Sequence, residues 1–358
     1  MNPATAFSSK EYQSLLVFIV RQRMLRSPKR LARKSKAALV LYKIFDNWRM
    51  KRRLKAGIAE SLHGSTHSLI VKNTSESVQY INRQFDDYVM YSGLPRQEFR
   101  NRRILELGYG DNVGVALKFL SVGAAQVVCL DRFQARRDVS HELEIYKFLK
   151  ETIPIPERPA FEAAIELNHE LTKNPARLFC LNGLELEEAV QSVPELKIPF
   201  DFVLSRAVIE EIHEPDSLFR AADKILVPGG HMIHKIDLSD YGIFSGGGMH
   251  PLTFLTLPEF VYQMMSSHSG IPNRKRVGFY RQLMKEIGYE STFFVTSMVG
   301  KGPVEPHVET LQLHTADSRF AISLVDQIRS KLSKPYRAMS DEELIVDGIF
   351  LVARKPTS

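Results

Sequence analysis

The chain has 358 residues, 44% apolar and 25% charged, enough for one large globular domain or two small ones and incompatible with general disorder. Its two cysteines, Cys129 and Cys180, fall in apolar runs, which argues against a disulfide framework or a zinc cluster. The net charge of +7 is uneven, because residues 1–60 hold 15 Lys and Arg against 3 Asp and Glu while the remainder holds 33 against 38.

The basicity therefore belongs to an N-terminal arm, residues 1–60, set before an acidic domain, residues 61–358. The apolar run 15–20 is far too short to span a bilayer, and it lacks the basic start and small-residue cleavage site of a leader. A reducing cytoplasm is the expected compartment. Between Glu11 and Lys55 there is no glycine and one proline, Pro28, so the arm is expected to form two helices broken there. In the second, Leu39, Tyr42, Ile44, Phe45 and Trp48 alternate with Lys34, Lys36, Lys43, Arg49, Arg52 and Arg53. Such a helix suits an anionic membrane surface or an acidic partner, or else packs on its own domain with a solvated basic face. Nucleic acid is not expected, since the domain behind the arm is acidic and carries no DNA- or RNA-binding signature.

After Gly57 comes a polar stretch, then a helix expected over 77–91 that ends at Gly93. Seven short runs rich in Val, Ile, Leu and Phe follow, at 103–107, 126–130, 177–181, 200–205, 230–236, 291–298 and 348–353. Helical segments separate them, including one over 321–332. The alternation predicts an α/β fold, a Rossmann-like, seven-stranded, mostly parallel sheet flanked by helices.

The densest signal is Ile104-Leu-Glu-Leu-Gly-Tyr-Gly-Asp-Asn-Val-Gly114, an apolar strand, an acid, and glycines at 108, 110 and 114 before a helix start. Glycine lets the backbone turn tightly at the strand edge where open α/β sheets bind ligands. Asp131 lies 21 residues after Gly110, at the end of the next apolar run, where a carboxylate can accept both ribose hydroxyls of a nucleoside. No Gly-Lys-Ser/Thr follows, which excludes a phosphate-binding P-loop. The glycine spacing and the acid two residues ahead of Gly108 also differ from a dinucleotide fingerprint.

The segment resembles motif I of class I methyltransferases, with Asn112 where the third glycine usually stands. Phe179-Cys-Leu-Asn182-Gly183 resembles the third-strand end, where Asp or Asn meets the adenine amino group. Phe200 to His213 resembles the fourth strand and the segment after it, with Ser205 and Arg206 at the strand edge, and Leu226-Val-Pro-Gly-Gly230 resembles the turn before the fifth. The resemblance implies S-adenosylmethionine as cofactor, with Glu106, Gly108, Gly110, Asp131, Asn182 and Ser205 as its binding residues.

His234-Lys-Ile-Asp237-Leu-Ser-Asp240-Tyr-Gly, with Asn273-Arg-Lys-Arg276 further on, looks like a subgroup of bacterial methyltransferase-domain proteins often linked to surface-glycan pathways. Tyr241 stands where that subgroup has a second histidine. Residues past the ends of strands four and five would lie above the methyl sulfonium, so His234 and Asp237 are the candidate bases for an oxygen acceptor, provided the strand ends near residue 236. Otherwise His234 is an inward strand residue and Asp237 and Asp240 are loop caps. Arg206 is read as an acceptor clamp or as a salt-bridge partner of Glu210, and His213 as a helix-orienting residue or a catalytic one. Asn273, Arg274 and Arg276 would form a lid over an anionic or sugar acceptor, or a solvated basic loop. No metal is expected, since no tight ligand spacing compels one.

The expected function is O-methylation of a small molecule or glycan. Alternatives are a nitrogen, carbon or lipid acceptor at a membrane surface, with the enzyme peripheral to its inner face, and a non-catalytic scaffold that retains the cofactor pocket.

Overall fold

A computed structural model of the protein describes residues 35–57, 73–135, 137–167, 171–309 and 311–357. The arm helix expected before Pro28 lies outside the described residues. The second arm helix is present as α1 (Lys36–Lys55), capped by the Ser35 side chain. It is followed by α2 (Thr74–Ser92), where Asn73 caps the start by accepting the Ser75 N–H and left-handed Gly93 ends it.

The strands are β1 (Arg103–Leu107), β2 (Gln126–Asp131), β3 (Ile165–Leu167), β4 (Leu171–Lys173), β5 (Leu178–Asn182), β6 (Phe200–Arg206), β7 (Leu226–Asp237), β8 (Glu290–Met298), β9 (Gly302–Val308) and β10 (Val346–Arg354). Eight of them form one sheet in the order β5-β2-β1-β6-β7-β10-β8-β9, and β3 and β4 pair separately. Pairing is parallel from β5 through β7, while β10 runs antiparallel between β7 and β8. All seven expected strands form. The eighth, β9, escapes the apolar-run criterion because Pro303 and Pro306 interrupt it; as an edge strand it tolerates residues that cannot donate to a ladder.

The inner parallel strands β1, β2 and β6 are buried on both faces, as crossover helices require. On one face α2, α3 (Gly114–Ser121) and α4 (Val139–Thr152) pack Phe85, Phe119 and Tyr146 against Ile104, Val127 and Phe202. On the other, Leu186, Phe219 and Tyr280 pack against Leu105, Val128 and Val203; they come from α5 (Leu186–Ser192), α6 (Pro215–Ile225) and α7 (Val277–Glu286). A third cluster joins Leu39 of α1 to Tyr262 and Met265 of α8 (Glu259–Ser266) and to Val325 and Ile328 of α9 (Ala316–Arg329). This last helix starts five residues before its expected position, since Thr315 caps it by accepting the Ser318 N–H.

Asn47 ties α1 down. Its buried amide donates to the Met264 carbonyl (2.9 Å) and to Ser267 Oγ (3.0 Å) and accepts the His268 N–H (2.7 Å). This part of the arm is thereby packed on the α/β domain.

Candidate active site

A cleft of about 830 Å³ opens at the C-terminal ends of β1, β2 and β6, a size suited to small-molecule ligands. β1 delivers the glycine loop to its floor. Gly108 (φ 69°) and Gly110 (φ 68°) are both left-handed, a conformation that costs other residues strain. At Gly108 a Cβ would also sit 2.1 Å from Val208 Cγ2, so the loops after β1 and β6 meet through the missing side chain. Asn112 does not take the left-handed conformation that would mimic a glycine. Its Oδ1 instead accepts the Gly114 N–H at the start of α3 (3.0 Å).

Asp131, half-buried at the end of β2, is fixed by two backbone donors. Oδ2 accepts the Gly110 N–H (3.1 Å) and Oδ1 the Phe133 N–H (2.9 Å). Burial pushes its pKa up while these bonds pull it down. A carboxylate held this way beside bare loop backbone can accept a vicinal diol. Glu106, buried at the cleft floor, is pushed up to about 8, chiefly by burial.

Of the residues expected here, Glu106, Gly108, Gly110, Asp131 and Arg206 line the cleft. The structure does not bring Asn182, Ser205, His234 or Asp237 to its lining. Asn182 accepts the Tyr109 hydroxyl (2.9 Å) and so acts on the lining at second hand, through Tyr109. Ser205 and His234 are fully buried and hydrogen-bonded to each other, Oγ to Nδ1 at 2.7 Å, with the imidazole edge-on to Phe219. Burial alone drives the His234 pKa down to about 3. The expectation of a base at 234 required the strand to end near residue 236. β7 does end there, at Asp237, yet the His234 ring turns into the core against Ser205 and Phe219 and away from the cleft.

Asp237 caps the following loop by accepting the Ser239 N–H (2.8 Å), and Asp240 does the same for Gly242, Phe244 and Ser245. Arg206 pairs with Asp87 of α2 (2.6 Å), not with Glu210. His213 is exposed at the cleft. The segment 273–276 is neither a lid nor a solvated loop. The Asn273 amide donates to the Ile209 and Ile212 carbonyls, Arg274 to those of Phe254 and Leu257, and fully buried Arg276 to those of Leu238, Glu343, Leu344 and Val346.

Sequence reasoning missed two parts of the cleft. One is Tyr241, whose hydroxyl donates to Glu210 Oε1 at 2.6 Å. Glu210 is buried, also accepts the Asp237 N–H (3.1 Å), and is pushed up to about 8, first by burial; its Oε2 finds no partner among the described residues. The departure from histidine at 241 was the available signal. The other part is the wall that α1 supplies through Leu39, Tyr42, Lys43 and Met50.

The sequence model of a methyltransferase domain matches residues 78–292, more than half of the chain. No curated protein matches. Similar solved structures include phosphoethanolamine N-methyltransferase 2 of Haemonchus contortus in complex with S-adenosyl-L-methionine. It is 16% identical, with a TM-score of 0.38, over 76% of this chain and 52% of that one, so the chain spans about half its length. An S-adenosylmethionine-dependent methyltransferase from Mesorhizobium loti is 14% identical (TM-score 0.36; 77% and 100% covered). Magnesium protoporphyrin IX methyltransferase from Synechocystis is 9% identical (0.37; 78% and 83%). The residues present fit the methyl donor of this family, since left-handed glycines leave the loop backbone bare and Asp131 is fixed beside it with its carboxylate at the cleft. The chain belongs to the methyltransferase-domain family.

Proposed function

We propose that this enzyme methylates a hydroxyl of a small molecule or glycan, with Asp131 and the 108–110 loop holding the donor and the Tyr241–Glu210 pair taking the acceptor's proton. S-adenosylmethionine supplies the electrophilic methyl group when bound. The observation that carries the reading is the pair itself. A hydroxyl must lose its proton as the new bond to carbon forms, and a general base works best when its pKa lies near the working pH. Glu210, pushed up to about 8, meets that requirement through Tyr241, which lines the cleft. The phenol oxygen accepts the acceptor's proton as its own passes to Glu210 Oε1. Arg206, braced by Asp87, supplies a cation on the same lining for a polar acceptor. The resemblance of segment 234–242 to a glycan-linked subgroup makes sugar hydroxyls the first acceptors to screen.

The test is a methyl-transfer screen over hydroxyl, amine and carbon acceptors, followed by kinetics on the best one. Tyr241→Phe is expected to lower kcat by about 10²–10⁴ with KM little changed. The wild-type rate should climb as pH rises through about 8, because Glu210 must lose its proton to act, and Glu210→Gln should flatten that climb. Transfer to nitrogen or carbon, or full turnover by Tyr241→Phe, would sink the reading.

The lipid-directed alternative is favoured by a separate observation, the outward face of α1.

A further inference from the structure

This inference does not rest on the hydroxyl-acceptor reading. α1 has two faces. Leu39, Asn47 and Met50 turn inward and are buried. On the opposite side Leu41, Phe45 and Trp48, at i, i+4 and i+7, are 68%, 57% and 48% exposed. Phe45 and Trp48 stack with ring centroids 5.7 Å apart, and the Arg52 guanidinium lies 4.5 Å from the Trp48 ring centroid. The neighbouring helix α8 adds exposed Phe260 and Met264, and Asn47 binds the Met264 carbonyl, which puts the two helices side by side. Apolar and aromatic side chains gathered outward in this way mark an interaction surface.

Charge selects the partner. α1 carries seven basic residues and one acid, Asp46, which sits on the inner face. Arg52 lies over the exposed Trp48 ring, and Arg49, its side chain about half exposed, pairs with Asp46 from the next position along the helix. Aromatics that enter the headgroup layer, with long cationic side chains alongside to reach lipid phosphates, are the features of a helix that lies in the plane of an anionic membrane. No helix among the described residues is long and apolar enough to cross one. We propose that the outer face of α1, together with Phe260 and Met264 of α8, docks this enzyme on an anionic lipid bilayer. The inner face of the same helix walls the cleft, so docking brings the cleft to acceptors held at the bilayer surface.

Trp48 is the chain's single tryptophan, so emission excited selectively from tryptophan reports this face alone. The full chain is titrated with vesicles of phosphatidylcholine, either pure or mixed with phosphatidylglycerol. Expected on the mixed vesicles are a blue shift of Trp48 emission, quenching by bromine-labelled lipid, and partitioning at least about tenfold tighter than on the neutral ones, weakening with salt. Leu41→Ser with Phe45→Ser should abolish the shift, and Arg49→Glu with Arg52→Glu should abolish the preference for phosphatidylglycerol. Binding of S-adenosylmethionine by both variants serves as the fold control, since none of these side chains lines the cleft.

Three results would overturn the proposal. One is emission that stays unchanged with either vesicle. Another is emission already blue in buffer and insensitive to lipid, which would assign the face to residues 1–34 of the chain itself. The third is emission that shifts with protein concentration in the absence of lipid, which would assign the face to a second copy.

Discussion

Asp131 has both carboxylate oxygens engaged by backbone N–H groups, so its position is set before any ligand arrives. Asp131→Ala removes a charged acceptor from the cleft and releases the Gly110 N–H. Hydrogen bonds to charged groups are worth about 1.5–3 kcal/mol, so calorimetry should find S-adenosylmethionine binding about 10- to 100-fold weaker. Unchanged affinity would remove Asp131 from the donor site. His234 predicts the reverse pattern. It fills space inside the sheet and satisfies Ser205, so His234→Ala should destabilise the fold by roughly 2–4 kcal/mol and leave kcat intact well below the melting temperature. A fall in kcat beyond tenfold in a folded variant would restore it as a catalytic residue. The two residues also differ in how far sequence could reach them. The demands on Asp131 and its glycines are local and show up as spacing. The role of His234 depended on which way its side chain turns, and that is decided by Ser205 and Phe219, which lie outside its own strand.

At the scale of elements, the strands and most helices were legible because burial on both faces and capping chemistry leave periodic traces. The edge strand β9 and the buried arginines were not. Arg274 and Arg276 read as a basic loop, yet their donors reach backbone carbonyls contributed by α8's approach, the end of β7 and the start of β10, partners that no local pattern reveals. The placement of α1 was also open, and Asn47 shows what holds it. Asn47→Ala would leave the Met264 carbonyl and the His268 N–H without partners, at a cost of about 1–3 kcal/mol that falls on the α1–α8 contact. Hydrogen exchange should therefore speed up across residues 36–55 while the central strands keep their protection. Uniformly faster exchange throughout the chain would mean that α1 does not open as a separate unit.

For the whole molecule, buried acids set the response to pH. Glu106 and Glu210 are pushed up to about 8 and Asp347 to about 7, in each case mainly by burial. The native state keeps protons that the same groups release in the unfolded chain above their ordinary values near 4. Their stabilising contribution is complete below those values and is lost as pH rises through 7–8. His234 works in the opposite sense, but only below its unfolded value of 6.5. Between pH 6.5 and 8.5 His234 no longer opposes the carboxyls; Cys180, lowered to about 6 first by its hydrogen bond with Cys129, offsets part of the loss, and the thermal midpoint should fall by about 2–5 °C. A flat or rising midpoint over that interval would show that these acids ionise freely in the native state.

The wall that α1 contributes lies outside residues 78–292, the span this chain shares with its family. The glycine loop and part of the cleft wall are thus written in separable stretches of sequence. Changes at residues 39, 42, 43 and 50 would reshape that wall without touching the glycine loop. Two chains that align closely over 78–292 need not modify the same compound, and exchanging α1 between them is a direct route to transplanting selectivity.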